Sequence, residues 1–250
     1  GFGPSLSLFG TTVYETTVTY DLSIVPLFVL MGAVAARSGL SKELYGAFNA
    51  WMGAFRGGLA LATVGACGAF AAICGSSVAT AATMSKVALP EMERYKYGES
   101  LATGSVAAGG IIGILIPPSV VLVLYGVLTE TSIGDLFIAG FLPGVLTILG
   151  FMLVIVIVTR IYPDIGPAGE KTSMKEKFEA LGRTWAIILL FAIVIGGIYF
   201  GVFTPTEAAG IGAVGAFVIS ALRGRMTLKN TREALMETVT TTAMIFTILI

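Results

Sequence analysis

Long apolar runs separated by short charged segments dominate the chain. Each run contains at most one charged residue, and the runs lie at 22–36, 57–85, 101–128, 133–159, 186–202, 208–222 and 238–250. A helix needs about 20 mainly apolar residues to cross the hydrocarbon core of a membrane, which is about 30 Å thick. Because several runs approach or exceed that length, the pattern predicts a bundle of membrane helices.

The composition supports this prediction. Of the 250 residues, 56% are hydrophobic and 12% are charged, whereas a soluble domain has about 25% charged residues. The 15 basic and 15 acidic residues cancel, so there is no basic surface for nucleic acid. We therefore expect an all-α integral membrane protein, which excludes a soluble enzyme and a nucleic-acid-binding domain.

The signs of the loop charges predict a topology. All basic residues lie in four segments, at 37–56, 86–99, 160–183 and 223–237, whereas the other connections contain only acids: Glu15, Asp21, Glu130, Asp135 and Glu207. Since basic loops stay in the cytoplasm, most runs alternate in direction across the membrane. Run 57–85 is the exception, because it has basic loops at both ends.

A re-entrant hairpin over residues 57–89 resolves this exception. As one straight helix the 29 residues of the run would be about 44 Å long, more than the membrane requires. The hairpin would turn at Gly75-Ser76-Ser77, the polar cluster of the run. Two short spans joined by a tiny outer turn are the alternative, and the charges do not distinguish them.

Run 101–128 is predicted to be a broken helix. It contains Gly109-Gly110 and Gly113, followed by Ile116-Pro117-Pro118-Ser119. Proline removes a helical hydrogen bond and pushes the preceding residue out of the helical region. We expect the first half to end at the proline pair and the second half to begin after Ser119. A packed kink without a ligand is the alternative.

The remaining chemistry is that of backbone groups and hydroxyls. No Asp, Glu, Lys or Arg lies in the middle of a run, histidine is absent, and there is no phosphate-binding GxxxxGK[ST] motif, so we do not expect an enzyme. Cys67 and Cys74 would lie about 10 Å apart on a helix, too far for a disulfide. Carbonyls at interrupted helix ends suit Na⁺, and helix N-termini suit a carboxylate.

Six segments occur in an order that resembles a known family. They are LSIVPLFVLMG (22–32), GGLALATV (57–64), FAAICGSSVATAA (70–82), GILIPPSVVLVLYG (113–126), TSIGDLFIAGFLPG (131–144) and FTPTEAAG (203–210). Together they resemble the large membrane subunit, DctM-like, of tripartite ATP-independent periplasmic (TRAP) transporters. We interpret the chain as an internal fragment of such a subunit.

The resemblance implies a function and partners. The family consists of Na⁺-driven symporters in the bacterial inner membrane that import carboxylates such as C4-dicarboxylates or sialic acid. Na⁺ would be the coupling ion, without an organic cofactor. A periplasmic binding protein would deliver the solute, and a small four-helix membrane subunit would complete the complex. A one-component Na⁺/carboxylate symporter and a non-transporting structural subunit are the alternatives.

The resemblance also implies an elevator-type fold of two inverted repeats. Residues 1–159 would form the first repeat, with an interfacial start, a spanning helix at 22–36, hairpin 57–89, broken helix 101–128 and a spanning helix at 133–159. Residues 160–185 would be a cytoplasmic linker, and residues 186–250 the start of a truncated second repeat.

Carried over from the family, the site would lie at the hairpin tip and the helix break. The expected Na⁺ ligands, mostly backbone carbonyls, are Cys74, Ser76, Gly113, Ile116 and Pro118. The candidates for the substrate carboxylate, at the starts of half-helices, are Ser77, Thr80 and Ser119, with helix capping as the alternative. The family usually has serine where this chain has Cys74, and a thiol is a poor Na⁺ ligand.

Three further segments are predicted to be architectural. Residues 41–51 combine charged and aromatic side chains, as in a helix at the membrane interface. Ser173 and Glu176 match a capping box that would open a charged helix ending at Arg183. Residues 204–207 belong to the family motif, but Pro205 and Glu207 are equally typical of helix initiation.

Overall fold

The computed structural model describes residues 18–250, together with residues 7, 10, 11, 13 and 14. Glu15 and most of the predicted interfacial start lie outside the described residues. Within 18–250 all regular structure is helical, which confirms the all-α prediction. The α-helices are α1 Ile24–Arg37, α2 Leu40–Met52, α3 Gly58–Cys74, α4 Ser77–Arg94, α5 Glu99–Ile111, α6 Val120–Leu128, α7 Ile133–Ile161, α8 Met174–Arg183, α9 Trp185–Tyr199, α10 Pro205–Leu222 and α11 Leu228–Leu249.

Several of these helices are suited to a membrane by length and composition. Among the described residues, Tyr20–Arg37, Ile133–Ile161 and Pro205–Leu222 are long and apolar enough to cross one. A fourth candidate joins α8 to α9, which meet at an angle of 50°. These helices agree with a membrane protein of several spans.

Helices α3 and α4 form the predicted hairpin. The Gly57 N–H donates to the Gly166 carbonyl at 2.9 Å, and the Gly98 N–H donates to the Ile165 carbonyl at 2.8 Å. Both ends of the hairpin therefore lie against the same connecting segment, at residues 165–166. The predicted end at residue 89 is wrong, because α4 continues through Pro90 to Arg94.

Tyr97 fixes the base of the hairpin. Its hydroxyl accepts a hydrogen bond from the Leu59 N–H at 3.1 Å and donates one to the Pro167 carbonyl at 2.9 Å. Burial raises the pKa of this phenol, so the hydroxyl stays protonated and able to donate. One side chain thus joins the start of α3, the α4–α5 loop and the linker.

The second predicted interruption lies between α5 and α6. The first half ends earlier than expected, because α5 stops at Ile111 and a 3-10 segment, Ile112–Ile114, follows before the prolines. The tighter winding follows from Gly113, which has no Cβ to resist it, and from the residues before proline, which leave the helical region. The second half begins at Val120, as predicted.

The core centres on α3, whose residues are all buried except Ala69. Cys67 and Cys74, both in α3, are buried and free, as expected. The contrasting helix is α7, whose apolar side chains, among them Leu142, Leu149 and Leu153, are mostly exposed. A helix that is apolar all round and open on one side faces lipid or another subunit.

The segment predicted to be a linker contains α8. Ser173 and Glu176 form the predicted capping box, and α8 packs against α2 through an edge-to-face contact between Phe178 and Trp51, with ring centroids 5.9 Å apart. The helix predicted at 41–51 is confirmed as α2.

Candidate functional site

The hairpin tip packs directly against the helix break. The Val120 N–H donates to the Gly75 carbonyl at 3.3 Å. A Cβ on Gly75 would lie 2.5 Å from the Pro118 oxygen, and a Cβ on Gly113 would lie 3.0 Å from the Ser76 carbonyl carbon and oxygen. The two interruptions that were predicted separately therefore form one junction, at which backbone meets backbone.

Gly75 makes the turn possible. It has φ +62°, the left-handed conformation that ends α3, and its N–H donates to the Ala71 carbonyl at 3.0 Å. Glycine adopts this conformation without a steric penalty. Any side chain here would meet Pro118 as well as strain the backbone.

The junction contains carbonyl groups without hydrogen bonds. Among the described residues, no donor reaches the carbonyls of Ala72, Ile73 or Cys74 at the end of α3. The same is true of the carbonyls of Ile116–Pro118 in the break. Such oxygens form the negative end of a helix and can bind a cation.

Helix α1 closes one side of the tip through Gly32. A Cβ at Gly32 would lie 2.7 Å from the Cα and 2.8 Å from the carbonyl oxygen of Cys74. The sequence analysis did not assign Gly32 a role, although an isolated glycine within a span of large side chains is a signal of close packing.

Two of the predicted site serines cap half-helices. The Ser76 hydroxyl accepts the Ala79 N–H at 3.3 Å, and the Ser119 hydroxyl accepts the Leu122 N–H at 3.4 Å. Ser119 also donates to the Ile114 carbonyl at 2.8 Å, which ties the two halves of the broken helix together. The geometry of Ser119 is therefore that of a helix cap, which was the alternative interpretation of this residue.

Thr80 differs from these serines. Its side chain is fully buried, and its hydroxyl has no hydrogen-bond partner, although it lies beside the Cys74 thiol. Most buried hydroxyls are hydrogen-bonded, and an exception calls for a ligand or another explanation. Thr80 therefore places an available oxygen next to the end of α3.

Two further predicted residues, Ser77 and Ile116, differ in how they relate to the junction. Ser77 lies at the junction, since a Cβ on Gly113 would be 3.1 Å from the Ser77 Cα. The Ile116 side chain points away from the tip towards α7, where its Cγ1 would lie 2.7 Å from a Cβ on Gly144. Its carbonyl, not its side chain, is the group to consider as a ligand.

The donor set favours a hard monovalent cation. Within the described part of the chain, no group of three or more His, Cys, Asp or Glu residues is placed to hold a metal ion. What the junction offers is neutral oxygen, which suits Na⁺ better than a transition metal.

The motif at residues 204–207 forms a helix cap. Thr204 and Glu207 form a complete capping box at the start of α10, with Pro205 at its first position. Thr204 and Pro205 border a cavity of about 850 Å³ that also meets Asp21, Glu130 and Asp135, at the acid-only end of the bundle. This geometry matches the interpretation of residues 204–207 as the start of a helix.

Comparison with known proteins identifies relatives along almost the whole chain. Residues 4–250 match the family model of the tripartite ATP-independent periplasmic transporter, DctM component. The C4-dicarboxylate TRAP transporter large permease protein DctM of Pseudomonas aeruginosa is 41% identical over 250 residues, which cover 99% of this chain and 58% of that protein.

Relatives named for other solutes match as well. The sialic acid TRAP transporter large permease protein SiaM of Vibrio cholerae is 36% identical over 90% of this chain and 53% of its own length. The isethionate TRAP transporter permease protein DctMQ of Oleidesulfovibrio alaskensis is 36% identical over 92% of this chain and 36% of its own length. The chain thus spans about half the length of most of the curated relatives it matches. On this evidence the chain belongs to the DctM family, the large permease subunits of TRAP transporters.

Proposed function

We propose that this chain is part of a Na⁺-coupled symporter that imports carboxylate solutes across the bacterial inner membrane. The observation that supports this most directly is the contact between the hairpin tip and the helix break, where unpaired carbonyls and a buried free hydroxyl meet. Interrupted helices that meet inside a membrane protein are typical of secondary transporters.

The cation site would use the ends of the first half-helices. Its ligands would be drawn from the carbonyls of Cys74, Ser76, Gly113, Ile116 and Pro118. Thr80 is a further oxygen beside Cys74, although the family pattern assigned it to the substrate. With carbonyl ligation, the thiol of Cys74 has no role in binding, so its replacement of the usual serine is harmless.

The solute site would use the starts of the second half-helices. The N-termini of α4 and α6 are the positive ends of their helix dipoles, and their first turns contain no acidic residue. A carboxylate beside Ser77 and Ser119 would supply the missing negative charge. The names of the relatives include a C4-dicarboxylate, sialic acid and isethionate, and we extend only the carboxylate class to this chain.

The transport cycle would need the rest of the protein and its partners. In this proposal residues 1–159 and 186–250 belong to two inverted repeats that move as an elevator, and the hairpin of α3 and α4 is re-entrant. A periplasmic binding protein would deliver the solute, and a small four-helix membrane subunit would complete the complex. The fused name DctMQ of one relative is compatible with such a second membrane component.

Uptake measurements test the proposal. The full-length protein, reconstituted in liposomes with both partners, should accumulate radiolabelled succinate only when an inward Na⁺ gradient is imposed. Replacing Na⁺ with K⁺ should abolish accumulation. Equal uptake in the two salts would contradict the coupling, and the absence of uptake with any of a panel of carboxylates would contradict the solute class.

A further inference from the structure

A second cavity lies on the side of the helix break that faces α7, where the Ile116 side chain points. It is an apolar groove of about 410 Å³ between α2, α3, α7 and the α8–α9 connection. We call it the lateral groove; its walls include Phe48, Gly68, Val145, Ile148, Ile188 and Phe191. Thr184 is its one polar lining residue among those described, and the Thr184 hydroxyl donates to the Leu181 carbonyl at 2.7 Å. The groove therefore has nothing to offer an ion or a carboxylate.

The groove is open on the outer surface of the bundle. Of its lining side chains, Ile188 is 54% exposed and Phe141 is 41% exposed. Both helices that carry these residues, α7 and α9, display further exposed apolar side chains such as Leu149 and Leu189. The opening therefore lies on an apolar surface of the kind that faces lipid or another subunit.

The length of the groove along α7 is close to the thickness of one leaflet, and the groove is centred on the middle of that helix. On α7 the lining residues run from Phe141 to Met152, which is about 17 Å at 1.5 Å per residue. Half of the hydrocarbon core of a membrane is about 15 Å. The deep end lies at Ile116, and the shallow end lies at Leu181 and Thr184, next to the basic loops.

The shallow end has the chemistry of a headgroup region. Trp51 and Trp185 lie within one turn of lining residues, as is usual for indoles at a membrane interface. The Lys177 amino group lies 5.5 Å from the centre of the Trp51 ring. Lys177 makes no ion pair with any described residue. Arg223, by contrast, forms an ion pair with Glu43 at 2.5 Å, so its charge is already balanced within the protein. Lys177 is thus a positive charge available to a phosphate.

We propose that the lateral groove holds one acyl chain of an anionic phospholipid from the leaflet on the basic-loop side, with its phosphate beside Lys177 and Trp51. The chain would lie between α3, which presents Gly68 and Ala69 there, and the outer helices α7 and α9. The side of the hairpin formed by α3 would then contact lipid instead of protein. This inference does not depend on the nature of the transported solute.

Photolabelling of the full-length transporter with its partners tests the acyl-chain site. The probe is phosphatidylglycerol with a diazirine at the end of one acyl chain, in nanodiscs, with labelled peptides identified by mass spectrometry. We expect labelling of groove residues on α3 and α9. Val145→Trp should fill the groove and reduce that labelling at least fivefold, whereas Val154→Trp, on the exposed face of the same helix, should leave it unchanged. Unchanged labelling in Val145→Trp would overturn the proposal.

The headgroup position has its own test, which does not require the groove to be filled. Lys177→Gln should reduce the preference of labelling for phosphatidylglycerol over phosphatidylcholine at least twofold. Lys175→Gln, a matched change on the exposed side of α8, should not. Equal effects of the two variants would contradict the assigned headgroup position. Val145→Cys bearing a photoreactive group should capture lipid, and capture of protein instead would show that a protein segment occupies the groove and would overturn the proposal.

Discussion

Among the described residues, six helix starts are capped by a serine or threonine hydroxyl, and four of these form two pairs that differ in charge. At the exposed starts of α8 and α10, Ser173 and Thr204 are paired with an acid three residues later, and each forms a complete capping box. At the junction, Ser76 and Ser119 cap α4 and α6, but the equivalent positions are Ala79 and Leu122. At the exposed starts an acid offsets the positive end of the helix dipole, and at the junction no acid does so.

The difference distinguishes architecture from chemistry at helix ends. Capping by a hydroxyl satisfies backbone donors at all four starts, so a cap alone says little about function. What sets the junction apart is the combination of a buried cap at Ser119, missing acids, which it shares with the exposed start of α11, and the Thr80 hydroxyl without a partner.

The largest effect is expected from a substitution that forces the hairpin tip and the helix break apart. Gly113→Val should reduce solute uptake at least a hundredfold, because a Cβ there would already lie 3.0 Å from the Ser76 carbonyl. Gly104→Val, on α5 with no atom within 4 Å of its Cβ position, is the control for the cost of valine in this helix. A similar loss of uptake in both variants would show that uptake does not specifically require the close contact at the junction.

The second prediction gives α4 the acid that α8 and α10 possess. Ala79→Glu should complete a capping box with Ser76, neutralise the start of α4 and lower carboxylate uptake at least tenfold. Ala79→Gln adds nearly the same volume and the same hydrogen bond without the charge. The proposed solute site requires that the Gln variant retain most of the uptake that the Glu variant loses.

The third prediction concerns the free hydroxyl. Thr80→Val removes a buried polar group that has no partner in the protein, so in Na⁺-free buffer it should stabilise the protein by about 1 kcal/mol. In uptake assays the same variant should raise the Na⁺ concentration for half-maximal uptake about fivefold. Thr103→Val, on the exposed face of α5, serves as the control. Unaltered Na⁺ dependence in Thr80→Val would remove Thr80 from the site.

The smallest effect is expected at an exposed cap. Hydrogen bonds from the backbone and side chain of Ser173 hold the pKa of Glu176 below its ordinary value. The cap therefore stabilises α8 above that ordinary pKa, and the stabilisation is lost as the pH falls through the lowered value. Glu176→Gln should change uptake less than twofold and lower the melting temperature slightly at pH 7. That difference should shrink in acid, and a difference that grows in acid would contradict the assignment.

Most helices and both interruptions could be predicted because the sequence features that mark them are local. Loop charge and run length indicated a hairpin, and Gly75 and the Pro117-Pro118 pair marked both interruptions. The boundaries were less certain, because helix propensity near an end is weak compared with packing. Thus α4 continues past residue 89, and α5 stops before the prolines, where Gly113 fits against the hairpin tip.

The sequence by itself determined the membrane class, the helices and, through its motifs, the family. These follow from hydropathy, charge and the order of short segments, which need no knowledge of contacts. Only the tertiary structure decided which atoms of the hairpin tip and the helix break are in contact, that Gly32 closes on Cys74 and that Thr80 has no partner. Those facts depend on residues far apart in the chain, and a close backbone contact at a glycine leaves little trace in hydrophobicity or charge.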